Sequence, residues 1–169
     1  MGVLADRLDR MRIRVTSPNG KITAELYDRT AVRLSFAPGS YRWYSERTME
    51  RQLAGLGRVL WANRMKGYYQ ALSEAFGATV TRESTPVTQR DLAYAAARDT
   101  LVAEGRSPDG QIRITVRGMR EWTIRITDGT LDALPERRFA AGVEQAASEL
   151  ILDQFAKVRQ LKDHHYGER

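Results

Sequence analysis

The chain has 169 residues, 42% of them hydrophobic and 28% charged, with a formal net charge of +6. It contains no cysteine, which excludes disulfides and cysteine-ligated metal sites, and its two histidines, His164 and His165, are adjacent. Nucleophilic triads, common zinc sites and phosphate-binding glycine loops find no support, so we expect no catalysis, cofactor or metal. No apolar run reaches the length of a membrane span or signal peptide, so we expect a cytoplasmic protein without membrane contact.

The first predicted elements are a short helix over residues 4–11 and a small sheet. Apolar and polar residues alternate in three runs, as in strands with one buried face: residues 12–16, 22–26 and 32–36. Turn signals join the runs, Asn19-Gly20 at the first turn and Asp28-Arg29 at the second. The pattern predicts a three-stranded antiparallel meander.

A long helix follows the sheet. Ser45 is placed to cap it, and apolar residues then recur at helical spacing: Met49, Leu53, Leu56 and Leu60. After Leu60 the apolar stripe changes face, so we expect two packing partners, the helix's own sheet and the other half of the chain. Gly55 and Gly57, inside the helix, predict the close approach of another helix.

The second half of the chain repeats this pattern at an offset of 90 residues. Ser17-Pro18-Asn19-Gly20 aligns with Ser107-Pro108-Asp109-Gly110, and the apolar positions of hairpin, turn and helix then stay in register. We therefore predict an α+β fold of two tandem α-β-β-β-α units, each a three-stranded antiparallel meander with a long helix. One such unit is too thin to bury both faces of its sheet, so the units should pack as an intramolecular pseudo-dimer. The predicted boundaries are residues 1–76 for the first unit, 77–87 for a linker and 88–169 for the second unit.

The order of these elements, with S-P-[ND]-G opening the hairpin, resembles the YbaB/EbfC nucleoid-associated family. The likeness is closest to actinobacterial members, in which the segment SPDGQIRITV at residues 107–116 would be typical. The resemblance covers both units and implies two tandem copies, fused in one chain, in place of the usual homodimer. It further implies a bacterial nucleoid protein that binds DNA with little or moderate sequence preference. Some actinobacterial relatives act instead through protein contacts in type VII secretion.

The excess positive charge lies in the first unit. Residues 1–85 hold 14 Lys and Arg and 8 Asp and Glu, whereas residues 86–169 hold 13 of each. Arg47, Arg51 and Arg58 share one helical face, and the corresponding residues of the second unit are Arg137, Ala141 and Ser148. Such a row could bind successive phosphates, and a merely solvated helix face is the alternative.

Further cations extend the predicted DNA-binding surface: Arg42, Arg64, Lys66, Arg12 and Arg14. Arginine is also an ordinary residue on the solvent side of a strand, which is the alternative for Arg12 and Arg14. We interpret Arg7 and Arg10 as surface salt-bridge partners of Asp6 and Asp9.

Two functions fit these observations. The first is a duplex-DNA-binding protein of the nucleoid that contacts mainly phosphates and reads few bases. The second is a protein-interaction or adaptor module, for example one associated with type VII secretion, that does not bind DNA. Further homodimerisation is compatible with either.

Overall fold

The structure is a computed structural model and describes residues 2–80 and 85–167. The first unit consists of α1 (Gly2–Arg10), β1 (Ile13–Thr16), β2 (Ile22–Tyr27), β3 (Ala31–Phe36), a 3-10 turn (Tyr41–Trp43) and α2 (Glu46–Phe76). The second unit consists of α3 (Gln89–Asp99), β4 (Val102–Arg106), β5 (Ile112–Arg117), β6 (Glu121–Ile126), the short α4 (Thr130–Ala133) and α5 (Glu136–Tyr166). Residues 81–84 of the predicted linker lie outside the described residues, and the predicted domain boundaries stay a prediction.

Each unit contains one three-stranded antiparallel sheet, with strand orders β1-β2-β3 and β4-β5-β6. The registers are the same at an offset of 90: Arg14 pairs with Glu25, and Glu104 pairs with Thr115. The β2–β3 and β5–β6 ladders also agree, since Ile22 pairs with Phe36 and Ile112 with Ile126. The predicted α+β class and the two meanders are therefore confirmed.

The repeated S-P-[ND]-G segment forms the same hydrogen-bonded turn in both units. The buried Ser17 Oγ accepts the Ile22 N–H at 3.0 Å and donates to Asn19 Oδ1 at 2.7 Å. Ser107 makes the corresponding bonds, and its hydroxyl is the main reason that the pKa of Asp109 is lowered. The hairpin needs these residue types for its geometry, which explains why they recur where most other identities differ.

Local signals also set the helix start and the second turn. The Ser45 hydroxyl accepts the Thr48 N–H and Thr48 reciprocates, so α2 begins with a capping box as its N-cap residue predicts. Asp28 and Arg29 have φ values of 48° and 68°, the left-handed pair that a tight hairpin between twisted strands requires.

Each long helix contacts the outer strand of the other unit's sheet. Glu50 of α2 accepts the N–H of Ile126 in β6 at 2.9 Å, and Glu144 of α5 accepts the N–H of Leu34 in β3 at 2.8 Å. Buried apolar residues of both units belong to one cluster, and its largest fully buried members are Phe139, Ile22, Met49, Ile112, Leu150 and Val116. This packing accounts for the apolar stripe of α2 that changes face along its length.

The helix glycines of α2 admit side chains of the sheets. A Cβ on Gly55 would lie 2.5 Å from Pro18 of the first hairpin, and one on Gly57 would lie 2.7 Å from the Trp122 ring of β6. The prediction that these glycines allow another helix to approach is therefore wrong. Sequence spacing marked the close contact but could not identify the partner.

Gly105 of β4 marks the closest approach of a helix to a strand. A Cβ at this position would lie 1.8 Å from the Ala146 carbonyl oxygen of α5, a backbone atom that cannot rotate away. The corresponding residue of β1 is Val15, so the first unit lacks this contact.

None of the helices within residues 2–80 and 85–167 is long and apolar enough to cross a membrane.

We predict that Gly105→Ala lowers the free energy of unfolding by about 3 kcal/mol or more, because the new methyl group forces α5 away from β4. Gly142→Ala is the matched control, since its Cβ would meet only the end of the Ile112 side chain at 3.1 Å and the Cβ of Ser107 at 3.3 Å. Urea unfolding followed by circular dichroism measures both. Equal stability of the two variants would contradict the α5–β4 contact.

We also predict that Tyr41, whose hydroxyl donates to the Leu134 carbonyl at 2.8 Å, makes the unfolding free energy depend on pH in the alkaline range. Burial, followed by the charges of Glu136, Glu46 and Asp132, raises the pKa of Tyr41 from 10.0 to about 12. The contribution of this hydroxyl is therefore complete below pH 10 and is lost as the pH rises toward 12. Tyr41→Phe should cost about 1 kcal/mol at neutral pH and should lose stability less steeply than wild type above pH 10. Parallel pH profiles of the two proteins would contradict this assignment.

Candidate nucleic-acid interface

An open, cationic groove of about 620 Å³ lies between β1 and the C-terminal half of α2, with the end of α1 at its rim. We call it the first-unit groove, and its polar lining residues are Arg7, Arg10, Arg12, Arg14, Asn63, Lys66, Gln70 and Glu74. Three of the cations predicted from the sequence, Arg12, Arg14 and Lys66, meet here although they come from two elements. The fold therefore concentrates positive charge that is dispersed along the chain.

Only part of this charge is neutralised by neighbouring carboxylates. Arg7 pairs with Glu74, and Arg12 lies 3.1 Å from Glu25 of the adjacent strand. Within the described residues, Arg10, Arg14 and Lys66 form no ion pair. All three are exposed, so their charges are available to an anionic ligand.

The backbone of β1 adds donors to the same groove. The Ser17 N–H donates to the Ile22 carbonyl. Because amides along a strand alternate in direction, every second amide of β1 points toward β2 and the others point away from it. The amides of Arg14 and Thr16 consequently point away from β2, toward the edge that α2 faces. An anion in the groove can accept a hydrogen bond from the Arg14 amide as well as from the side chains, and Thr16 lies just beyond the lining residues.

The corresponding groove of the second unit has mixed charge, with Glu104, Glu149 and Asp153 beside Arg106 and Lys157. There the Asp153 carboxylate accepts the Glu104 N–H at 2.9 Å, and Glu149 accepts the Arg106 N–H at 3.1 Å. The Lys157 ammonium donates to the Val102 carbonyl at 2.8 Å. The α2 residues at these three helix positions are Asn63, Val59 and Gly67. Carboxylates thus close the edge of β4, whereas the edge of β1 stays cationic and open.

Three exposed arginines lie on the N-terminal half of α2, on a face about 80–140° around the helix from the groove residues Asn63, Lys66 and Gln70. Arg47, Arg51 and Arg58 lie within about 40° of one another around the helix, and none forms an ion pair with another described residue. We call these three residues the α2 row. From Arg47 to Lys66 the helix advances by about 28 Å, comparable to most of a DNA helical turn.

The row runs past the first hairpin. Gln52 Oε1 accepts the Asn19 N–H at 3.0 Å, and an Arg58 nitrogen lies 3.9 Å from the position of a Cβ on Gly55, which itself faces Pro18. The first hairpin therefore lies beside the row, and the row and the groove are two cationic patches on adjoining faces of the first unit.

The remaining predicted residues lie elsewhere. Arg42 belongs to the 3-10 turn, where its guanidinium lies 5.1 Å from the ring of Trp43, a side chain that is 78% exposed. Arg64 lies between the rings of Trp61 and Phe155, at 4.8 and 5.0 Å. Burial, followed by the charge of Arg29, lowers the pKa of Arg64. This residue points into the region between the long helices and is separate from the groove.

Sequence reasoning passed over two residues of this surface. Arg7 and Arg10 both line the first-unit groove, and Arg7 pairs with Glu74 of α2, while Asp9 pairs with Arg29. The local acid–base spacing in α1 suggested partners within the helix. Only the docking of α1 on α2 reveals the actual ones.

No protein-family model, no curated protein and no solved structure matches this chain. The resemblance to the YbaB/EbfC family therefore stays a hypothesis based on the residues themselves.

Proposed function

We propose that the protein binds duplex DNA with the first-unit groove and the α2 row, mainly through phosphates. The observation that carries this proposal is the difference between the two grooves. At matching positions the first unit has Arg14 and Asn63, and the second has Glu104 and Asp153. A solvated surface with no ligand gives no reason for one groove alone to be cationic along its length.

The geometry suits a polyanion better than a small anion. Guanidinium groups bind two phosphate oxygens at once, and outward backbone amides supply further donors that do not depend on base sequence. The cations are spread over about 28 Å of α2 and the adjoining strand, so they can meet several phosphates. Such contacts position a duplex but distinguish few sequences, in accordance with a nucleoid role.

We further propose that the two units form a pseudo-twofold dimer of YbaB/EbfC-like repeats. Matching strand registers and the reciprocal helix–strand contacts of Glu50 and Glu144 support this arrangement. In a homodimer both subunits share one sequence, whereas in a fused pair each can diverge. DNA binding can therefore reside in the first unit while the second supplies the shared core.

The proposal predicts a strong salt dependence of binding. If about four to six phosphates are neutralised, log affinity should fall with log salt at a slope of about −4 to −5. In the variant Arg47→Gln, Arg51→Gln, Arg58→Gln the slope should become shallower by about three. Fluorescence anisotropy with a labelled duplex at several salt concentrations measures both slopes. No binding by the wild type at low salt would contradict DNA binding.

A charge swap tests the groove itself. Arg14→Glu with Asn63→Asp introduces the second unit's residues, and the new carboxylate on α2 would gain the position from which Asp153 accepts an edge amide. We predict that this variant keeps its unfolding free energy within about 1 kcal/mol but loses at least about tenfold in DNA affinity.

The control is Arg117→Glu with Gln160→Glu, an equal charge change at exposed positions of the second unit. It should bind duplex DNA with an affinity near that of the wild type, once the small effect of net charge is subtracted. If both variants lose the same affinity, binding follows overall charge and the groove is not the site.

The second candidate function is protein interaction, and the open edge of β1 favours it. Outward amides on an edge strand can pair with an added strand, and the adjacent arginines would favour an acidic peptide. A stoichiometric protein partner that survives nuclease and high salt, together with absent DNA binding, would replace the first proposal by this one.

A further inference from the structure

A second cavity, with cationic side chains on a largely apolar wall, lies between the C-terminal halves of α2 and α5 and is distinct from the first-unit groove. Its volume is about 370 Å³, within the range of small-molecule sites, and α1, α3 and the β2–β3 turn complete its walls. Residues 64 and 66 differ by about 200° around α2, so Arg64 lines this cavity while Lys66 lines the groove. We call it the inter-helix cavity.

The wall of the inter-helix cavity is positively charged. Arg64, Arg159 and Lys162 line it, as do Arg98 and Arg29, although the charge of Arg29 is offset by Asp9, and the described lining residues include no carboxylate. Arg64 is partly buried between two aromatic rings, and within the described residues it has no ion-pair partner. An anion bound here would offset the cost of holding that guanidinium out of water.

The cavity also contains buried polar atoms that have no hydrogen-bond partner among the described residues. Gln154 is only 5% exposed, and its Oε1 accepts no hydrogen bond. The Tyr94 hydroxyl is likewise buried and unpartnered. A buried acceptor without a donor costs about 1–3 kcal/mol and is uncommon in folded proteins. A ligand that brings an N–H or O–H donor would satisfy the Gln154 oxygen.

These features together specify a ligand with two parts. Its anionic part would meet Arg64 on α2 and Arg159 and Lys162 on α5. Its other part would carry a donor for Gln154 and fill a space bordered by aromatic rings, including Tyr68 and Tyr94. A simple inorganic anion meets the charge requirement but leaves the space bordered by the aromatic rings unfilled.

We propose that the inter-helix cavity binds a free nucleotide, with the phosphates on the cations of α2 and α5 and a base N–H on Gln154 Oε1. This site is independent of the proposed DNA surface, since the two lie on different faces of α2. Amino groups of adenine and guanine are suitable donors for the glutamine oxygen.

The test is isothermal titration calorimetry on the full chain with four probes: ADP, GDP, pyrophosphate and adenosine. At least one nucleotide should bind more tightly than pyrophosphate and adenosine, because only a nucleotide meets both requirements. Failure of both nucleotides to bind at millimolar concentration would overturn the proposal, and so would equal affinities for nucleotide and pyrophosphate.

Two variants locate the binding. Arg159→Gln with Lys162→Gln changes exposed cavity cations and should weaken nucleotide binding at least about tenfold. Arg137→Gln with Arg138→Gln removes two exposed cations at the other end of α5 and should leave nucleotide affinity unchanged. An equal loss in both variants would overturn the assignment to this cavity.

Gln154→Leu tests the base contact and should reduce nucleotide affinity toward that of pyrophosphate. Should this buried variant fail to fold, the variant Arg159→Gln with Lys162→Gln still decides the question.

A short single-stranded oligonucleotide is the last probe. If it binds more tightly than either nucleotide and loses that binding in Arg159→Gln with Lys162→Gln, the cavity holds a strand end and the free-nucleotide assignment is overturned.

Discussion

Outer strand edges that need hydrogen-bond partners determine how this molecule is organised. The two sheets have four such edges, and carboxylates of the long helices serve three of them: Glu144 on β3, Glu50 on β6, and Asp153 with Glu149 on β4. The first two connect one unit to the other, and the third fastens α5 to its own sheet. Within the described residues no carboxylate of α2 serves β1. Its edge faces a cationic groove, and the surface that we assign to DNA begins there.

The difference between the two grooves arises from different residues at equivalent positions of the two units. Because the registers match at an offset of 90, residue pairs of the two grooves can be compared directly. The Asp153 carboxylate accepts a hydrogen bond from a strand amide and lowers the local positive charge. Asn63 is uncharged and, within the described residues, accepts no such bond from β1. Gly105 then lets α5 lie against β4, whereas the first unit has Val15 at the equivalent position. In our proposal, edge protection and ligand binding are alternative uses of one structural position.

Sequence patterns predicted the local structure well and the long-range contacts poorly. Strand alternation, the Ser45 cap and the Asp28-Arg29 turn depend on residues close in the chain, and each was predicted correctly. The contact between Gly57 and Trp122 joins residues far apart in sequence, so spacing could suggest only that something approaches closely. Arg64 shows the same limit, since its position between Trp61 and Phe155 depends on how α2 meets α5. The helical spacing of the α2 row is visible in the sequence, but the meeting of Arg14 and Lys66 in the groove depends on how α2 docks on β1.

The most direct test of the account is an amide NMR titration of the full chain with a short DNA duplex at low salt. The account predicts concentration-dependent shifts at Arg14 and Thr16 on β1 and along the exposed face of α2, with Glu104 and Arg106 on β4 nearly unmoved. Shifts centred on β4 and α5, or no shifts at all, would contradict the assignment of DNA binding to the first unit.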